Sequence, residues 1–291
     1  MQQPTDVIEL AKEYIPDPRH RIKLDDLVVA VLRKVLSLTT AEHFPSEGVN
    51  FSPEEFANRL SKYESIIVDL QKIIILIAHW GTEEHLPVLR KAVTRIAEHK
   101  RSNGLSGWLN LRWYPSLLLL YTGGIAAIAS DQYRNLATIL TSLVDTEYRD
   151  DRTEPIIMPV VATMTDLNDA FKLIPGHERH YVPRSEYLFQ LLRPDLDNLL
   201  FLGKSYESLF DRFEIFFALV YADCNDRHWG PPGRFAYKYR RGSEANPFVK
   251  VVEEAESQGK EWAPLKAGLF RSSPDRFQKV SEQYVELIGK L

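Results

Sequence analysis

The spacing of apolar residues along this chain predicts a series of amphipathic helices. Ser52, Pro53 and Glu55 have the pattern of a capping serine, a first-turn proline and a glutamate three residues after the cap. In the stretch that follows, apolar residues recur every three or four positions, which is the period of one buried helical face. We therefore expect a long helix from this cap to about Trp80, ended by Gly81.

The same pattern recurs through most of the chain, and the period-2 alternation of strands is almost absent. Further helices are predicted over 24–38, from Pro87, from Pro115, from a cap at Asp131 through Val144, over 166–173, 184–192 and 195–202, from Ser205, from Asn246-Pro247 and from Ser273-Pro274. We therefore predict an all-α fold, a multi-helix array or bundle of about ten helices with little or no β structure.

The most apolar run, residues 117–129, is too short for a membrane helix. It has about two-thirds of the roughly 20 residues that span a bilayer, so we interpret it as a buried core helix. Gly123 and Gly124 each cost about 1 kcal/mol relative to alanine inside a helix. We expect them where a neighbouring backbone approaches closely.

A break in the helical pattern falls at residues 146–165, which combine a charge run with two prolines. It predicts an N-terminal helical part over 1–145 and a C-terminal helical part over 166–291. The break itself is compatible with a linker, an extended segment or a short strand. The apolar faces on both sides leave open that the two parts pack as one domain.

Composition narrows the class of protein. The 291 residues include 36 Lys and Arg against 40 Asp and Glu, a balance that argues against a chain that is basic overall but allows a local basic patch. The only cysteine, Cys224, excludes an intramolecular disulfide and a multi-cysteine zinc site. The N-terminus lacks the pattern of a secretory signal, so we expect a cytoplasmic protein without a membrane segment.

The stretch 221–241 carries the densest candidate chemistry. Its cations alternate with aromatic residues, a pattern that can neutralise phosphates and stack bases, and arginine beside tryptophan is also typical of protein-protein hot spots. The candidate binding residues, for a protein partner or nucleic acid, are Arg227, Trp229, Arg234, Lys238, Arg240 and Arg241.

A structural interpretation of the same stretch is favoured over nucleic-acid binding. Here a short strand turns its aromatic residues inward, and acidic side chains neutralise the arginines. The inward residues are Phe235, Tyr237 and Tyr239, and the acids Asp223 and Asp226 neutralise Arg227 and Arg234.

Catalytic and metal motifs are missing from the sequence. There is no GxSxG, no phosphate-binding glycine loop and no HExxH, and the eight histidines are scattered, so we expect no metal and no cofactor. Cys224 and His228 could form a thiolate pair, although a packing role for the cysteine is favoured. Asp223, Asp226 and His228 remain the residues for a hydrolase or nuclease alternative.

Two stretches together carry a resemblance: LNLRWYPSLLLLYTGGIAAIASDQYRNLATILT and LFDRFEIFFALVYADCNDRHWGPPGRFAYKYR. Over residues 50–240 the chain resembles the helical C-terminal region of large bacterial multidomain proteins with AlbA/Schlafen-like or SIR2-like N-terminal modules, some suspected of antiphage defence. We identify no pattern of such a module and no glycine-rich NAD site within these 291 residues. The resemblance implies a sensing, assembly or regulatory part and no catalytic residues.

These observations lead to one functional hypothesis and two alternatives. We interpret the chain as a non-enzymatic helical interaction or regulatory domain that binds a protein partner or a second copy of itself. The first alternative is a nucleic-acid-binding module that uses the basic-aromatic strip 227–241. The second is the hydrolase or nuclease alternative.

Overall fold

The computed structural model describes residues 6–98, 103–145, 153–225, 229–236 and 246–288. Within these ranges it contains 13 α-helices and one two-stranded sheet, so the predicted all-α fold is confirmed. The first seven helices are α1 Val7–Tyr14, α2 Arg21–Leu38, α3 Pro53–Trp80, α4 Leu86–Ile96, α5 Ser106–Leu111, α6 Tyr114–Ala129 and α7 Tyr133–Thr141. After the strands β1 Leu143–Asp145 and β2 Thr153–Pro155 come α8 Ile157–Asp166, α9 Pro183–Leu200, α10 Tyr206–Cys224, α11 Pro247–Gln258, α12 Ala263–Lys266 and α13 Pro274–Ile288.

The capping residues set the predicted helix starts. The Ser52 hydroxyl accepts a hydrogen bond from the Glu55 backbone N–H at 3.2 Å, and α3 runs from Pro53 to Trp80, as predicted. Asn246 likewise accepts from the backbone N–H of the residue two positions later, at 2.9 Å, at the start of α11. A side-chain oxygen satisfies one of the N–H groups that the first helical turn leaves free.

The helix predicted from Asp131 to Val144 is wrong at both ends. Asp131 has a φ of 55°, and α7 begins after Gln132, whose side chain makes no capping hydrogen bond. The helix ends at Thr141, and Val144 lies in β1, which pairs antiparallel with β2. Asp131 instead turns the chain between α6 and α7, so its side chain does not cap the next helix.

The separate helices predicted over 184–192 and 195–202 form one helix, α9, with Pro194 inside it. A proline in this position removes one hydrogen bond of the helix and usually breaks it. Leu192 and Leu196, on either side of the proline, are both buried. Packing of both halves on the core therefore keeps the helix continuous.

The predicted break at 146–165 contains regular secondary structure. Its second half is mostly helix α8, and β1 and β2 lie on either side of residues 146–152, which are outside the described ranges. Buried apolar side chains from both predicted parts of the chain belong to one cluster. The division into two domains remains a prediction.

Helix α6 forms the centre of the core and is buried from Tyr114 to Ile128. A Cβ atom on Gly124 would lie 2.1 Å from the Phe213 ring of α10, which is far inside contact distance. The expected close approach is therefore real, but it comes from side chains of neighbouring helices and not from a backbone. None of the described helices is long and apolar enough to cross a membrane.

Gly124→Ala is expected to lower the free energy of unfolding by about 1–3 kcal/mol, because the new methyl group overpacks the contact with Phe213. Gly123→Ala is the matched control, since the atoms nearest to its Cβ would be methyl groups of the flexible Ile74 and Ile139 side chains, both at 2.9 Å. Both changes carry the same helix-propensity gain of about 1 kcal/mol. Urea denaturation would compare them, and equal stability of the two variants would contradict this account of the contact.

Candidate functional site

Residues 229–236, here called the strap, lie directly on helix α10. A Cβ on Gly230 would stand 2.3 Å from the Ala218 carbonyl oxygen, and one on Gly233 would stand 2.1 Å from Oε2 of Glu214. Glu214 and Ala218 are four residues apart and so lie one above the other on the same helix face. The two glycines therefore let the backbone of the strap approach α10 at two successive turns.

Aromatic contacts also attach the strap to the core. The Tyr284 hydroxyl of α13 donates to the Pro231 carbonyl at 3.2 Å, and the Phe235 ring is fully buried 6.3 Å from the Tyr284 ring. Trp229 is half-buried, with its ring edge-on to Tyr221 at 6.1 Å. Burial of these rings stabilises the docked position of the strap.

The buried carboxylate of Glu214 lies at the centre of this arrangement. Its side chain is 3% exposed, and its Oε1 accepts from the Tyr121 hydroxyl at 3.1 Å and from the Ser185 hydroxyl at 2.7 Å. Its Oε2 accepts from the Arg234 backbone N–H at 2.9 Å. One side chain therefore joins α6, α9, α10 and the strap.

Burial raises the pKa of Glu214 to about 7, because a charged carboxylate is poorly solvated in this site. The hydrogen bonds from Ser185, Arg234 and Tyr121 act against this rise, and the negative charge of Asp211 adds to it. Glu214 therefore changes its charge near neutral pH, unlike an exposed glutamate.

A buried arginine lies close to this carboxylate. Arg184 is 5% exposed, and its Nη1 donates to the Met164 carbonyl. Burial lowers the pKa of Arg184, and the charges of Tyr121 and Glu214 raise it in opposition. A guanidinium stays charged in proteins, so the charge interaction between the two groups favours the ionised form of Glu214.

The side chains at the start of α9 contact four different groups of the protein. The four consecutive residues 184–187 each contact a different partner, because successive side chains on a helix point in directions about 100° apart. Their partners are, in order, the Met164 carbonyl, the Glu214 carboxylate, the Arg234 side chain and the Glu64 carboxylate. Sequence reasoning missed this cluster; four adjacent polar residues directly after Pro183 were the available signal.

Arg234, a candidate binding residue, has most of its side chain inside the protein. Its Nε lies 3.0 Å from Oε2 of Glu186, its Nη2 lies 3.9 Å from Oε1 of Glu207, and the guanidinium stacks on Phe189 at 3.5 Å. Its side chain is 19% exposed. This geometry is that of an internal anchor with cation–π and ion-pair contacts.

The predicted neutralisation of Arg234 by Asp223 is wrong. Asp223 accepts from the side chain of Arg276 on α13, and Arg276 also donates to the Asp223 carbonyl at 2.9 Å. The predicted strand at Phe235 is also wrong, because Phe235 and Ala236 are helical, although Phe235 does point inward. Asp223 and Arg234 each pair with a helix that is distant in sequence, and the other predicted members of these pairs, Asp226 and Arg227, lie outside the described residues.

Seven of the fifteen residues of the predicted basic-aromatic strip 227–241, and the candidate catalytic residue Asp226, lie outside the described residues. These are Asp226, Arg227, His228, Tyr237, Lys238, Tyr239, Arg240 and Arg241. Their predicted roles in binding or catalysis remain predictions. Of the candidate binding residues, the structure places only Trp229 and Arg234, both within the strap.

Cys224 is partly buried at the end of α10, where it packs against the core. Burial raises the pKa of its thiol to about 11, and the charge of Asp223 adds to the rise. Thiolate is the reactive form of cysteine, so this environment disfavours a nucleophilic role. It fits the packing role that was favoured from the sequence.

Histidines do not form a metal centre in the part of the chain that the structure describes, where no group of three His, Cys, Asp or Glu side chains converges. The rings of His177 and His180 meet edge-on at 5.2 Å in the loop before α9. Burial lowers the pKa of His177, so this imidazole is mainly neutral at physiological pH.

In comparisons with known proteins, no family model matches this chain, and no curated protein or solved structure matches it with significance. The resemblance to helical regions of bacterial multidomain proteins therefore remains a prediction.

The free energy of unfolding is expected to fall as pH rises from about 5 to about 8, because of Glu214. Its pKa is about 7 in the folded protein against an ordinary value of 4.5, so the folded state binds more protons between these values. The stabilising contribution is complete below the ordinary pKa and is lost as pH rises through about 7. Its size is on the order of 1–3 kcal/mol.

Glu214→Gln is the matched variant for this measurement, since it retains the shape and one acceptor oxygen but does not titrate. Urea unfolding of both proteins at several pH values would isolate the contribution of this residue as the difference between them. The same pH dependence in both proteins would contradict the assignment to Glu214.

Proposed function

We propose that this chain is a non-enzymatic helical module that binds another protein, with a contact surface around Phe201. Phe201 follows the last residue of α9 and is 95% exposed, the highest value among the large hydrophobic residues of the described ranges. Its backbone is left-handed, with φ 53° and ψ 47°. This combination of full exposure and an unfavourable backbone conformation is the observation that carries the proposal.

The left-handed conformation is the usual way to end a helix, but glycine is the residue that normally adopts it. A side chain with a Cβ costs about 1–2 kcal/mol in this region. The turn itself is well made: the Phe201 N–H donates to the Asp197 carbonyl at 2.8 Å, and the Gly203 N–H donates to the Asp197 carboxylate at 2.6 Å.

Contacts of the Phe201 ring within the chain do not offset the free-energy cost of the left-handed backbone, because a side chain with this exposure adds almost nothing to the core. Leu200 and Leu202, its neighbours in sequence, are partly buried and pack against the core. These two contacts fix the position of the backbone that carries the exposed Phe201 ring. Aromatic residues presented in this way are typical of the anchors that dominate protein-protein affinity.

The contacts of Asp223 and Cys224 support a binding role over the hydrolase alternative, whose other residues, Asp226 and His228, lie outside the described residues. Asp223 is held by Arg276, and the environment of Cys224 favours the thiol over the thiolate. The regulatory role and the link to bacterial defence are proposed only on the resemblance.

Phe201→Gly is expected to weaken partner binding at least about tenfold, equivalent to about 1.4 kcal/mol, while it raises the free energy of unfolding by about 1 kcal/mol. Glycine removes the aromatic anchor and fits the left-handed turn without strain. Binding would be measured by cross-linked co-purification from cells that naturally express the chain, and then with the purified binder. Sedimentation velocity would detect a second copy as the binder.

The control for this experiment is Ile22→Ala, since Ile22 is also apolar and 76% exposed, but it lies on α2. It should leave binding unchanged. Retention of full binding by Phe201→Gly, or an equal loss in both variants, would remove the support for a surface around Phe201.

Fluorescence anisotropy with labelled DNA and RNA is expected to show no binding at low salt by the wild-type chain or by Arg240→Ala/Arg241→Ala. A nucleic-acid binder would instead lose affinity linearly in a log–log plot against salt, because bound cations release counterions from the phosphates. Such a slope, reduced in the double variant, would favour the nucleic-acid alternative and place its site in the strip 227–241.

A further inference from the structure

We propose that the strap is a proton-linked latch: it docks most firmly on α10 when the Glu214 carboxyl is neutral, and it loosens when the carboxylate forms. This is a regulatory device that does not depend on the proposed contact at Phe201. It follows from how Glu214 holds the strap and from what surrounds its carboxyl group.

The attachment of the strap to Glu214 is a backbone contact. The Arg234 N–H points to Oε2 of Glu214 at 2.9 Å and also lies 3.1 Å from the Ser185 hydroxyl oxygen. Ser185 in turn donates to Oε1 of Glu214 at 2.7 Å. Gly233 allows this approach, because any side chain there would collide with the carboxyl group. The strap therefore covers Glu214 and cannot separate from α10 without exposing it.

The three donors to Glu214 are neutral groups: two hydroxyls and one backbone N–H. A buried charge gains less from neutral donors than from a direct ion pair with several hydrogen bonds. Groups from every packed element act on Glu214. They are Tyr121 from α6, Arg184 from α9, Asp211 and Tyr206 from α10 and Tyr284 from α13, while the Arg234 guanidinium is directed toward Glu186.

The neutral carboxyl fits the docked geometry. The N–H of Arg234 cannot rotate away from Oε2, whereas the hydroxyls of Tyr121 and Ser185 can rotate about their C–O bonds. The proton of neutral Glu214 therefore belongs on Oε1, where it can donate to the Ser185 oxygen while Oε2 still accepts from Arg234. All contacts of the strap survive protonation, and the carboxylate charge is no longer buried away from water, while the buried Arg184 cation loses its favourable charge interaction with Glu214.

The ionised carboxyl favours separation of the strap from α10. Separation of the strap would admit water to the carboxylate and restore its solvation. Since the pKa of Glu214 is about 7 beneath the strap and would return toward its ordinary value of 4.5 in water, docking is favoured at low pH. It weakens as pH rises through about 7. The strap is part of the predicted basic-aromatic strip 227–241, so its movement would also move the two candidate binding residues that it carries, Trp229 and Arg234.

The test follows Trp229, the strap residue whose ring contacts Tyr221. The full chain is labelled with 5-fluorotryptophan, and the five tryptophan resonances are followed by fluorine NMR across a pH titration. The Trp229 resonance is identified by its loss in Trp229→Phe. All proteins carry His228→Gln, because the neighbouring histidine would otherwise titrate in the same range. The other four tryptophans are internal controls.

The Trp229 resonance is expected to shift with a midpoint near pH 7 in the Glu214 protein and to stay constant in Glu214→Gln. Gly233→Ala, which forces the strap away from the carboxyl, should hold the resonance near its high-pH position throughout. A Trp229 resonance that does not titrate in the Glu214 protein, or that titrates equally in Glu214→Gln, would overturn the latch.

Ser185→Ala keeps the proposal testable if Glu214→Gln does not fold. Loss of the Ser185 hydroxyl removes a hydrogen bond that favours the ionised carboxyl, so the midpoint should move to higher pH. An unchanged midpoint in a folded Ser185→Ala protein would overturn the assignment of the titration to Glu214. None of these readouts depends on a partner, so failure of the latch and failure of the proposed binding function are separate results.

Discussion

The constraint on which the rest of this structure depends is the solvation of one buried carboxylate. Glu214 lies in the interior, and its polar contacts must replace the water that it lost on folding. The replacements come from residues 121, 185 and 234, which are distant from one another in the sequence. Many relative arrangements of α6, α9, α10 and the strap would bury apolar surface. The observed arrangement is the one that also brings the three donors to Glu214.

The close packing of α6 supports the same arrangement. Because Gly124 admits the Phe213 ring, α10 lies against α6 closely enough for the Tyr121 hydroxyl to reach Glu214. Apolar contacts of this kind supply most of the folding free energy, while the hydrogen bonds of the network select one geometry among several compact ones. The second carboxylate cluster, in which Tyr114 and Tyr187 both donate to Glu64 at 2.7 Å, ties α3 to α6 and α9 in the same way.

The sequence predicted what is local in the fold. Ser52 and Asn246 cap helices because the capping bond spans only two or three residues, and the apolar period identified α3 and α10. The predictions were wrong where contacts between residues far apart in the sequence determine the secondary structure. Pro194 would end an isolated helix, but burial on both sides of it keeps α9 continuous.

The candidate site shows the same division between local and distant information. The density of charged and aromatic residues in the stretch 221–241 drew attention to the segment that contains the strap. It could not tell that Arg234 faces Glu186 or that Asp223 faces Arg276, since these pairs join residues about 50 positions apart. An arginine beside aromatic residues has the same composition whether it meets a ligand or the interior of its own chain.

The environment of Cys224 has a practical consequence for the study of this protein. Because its pKa is raised and its side chain is partly buried, we expect the thiol to react slowly with alkylating reagents near neutral pH, and the chain has no other cysteine. For labelling experiments, the chain therefore already behaves almost as if it had no cysteine. A cysteine introduced on the surface would carry a spin label or fluorophore selectively, without prior removal of the native thiol.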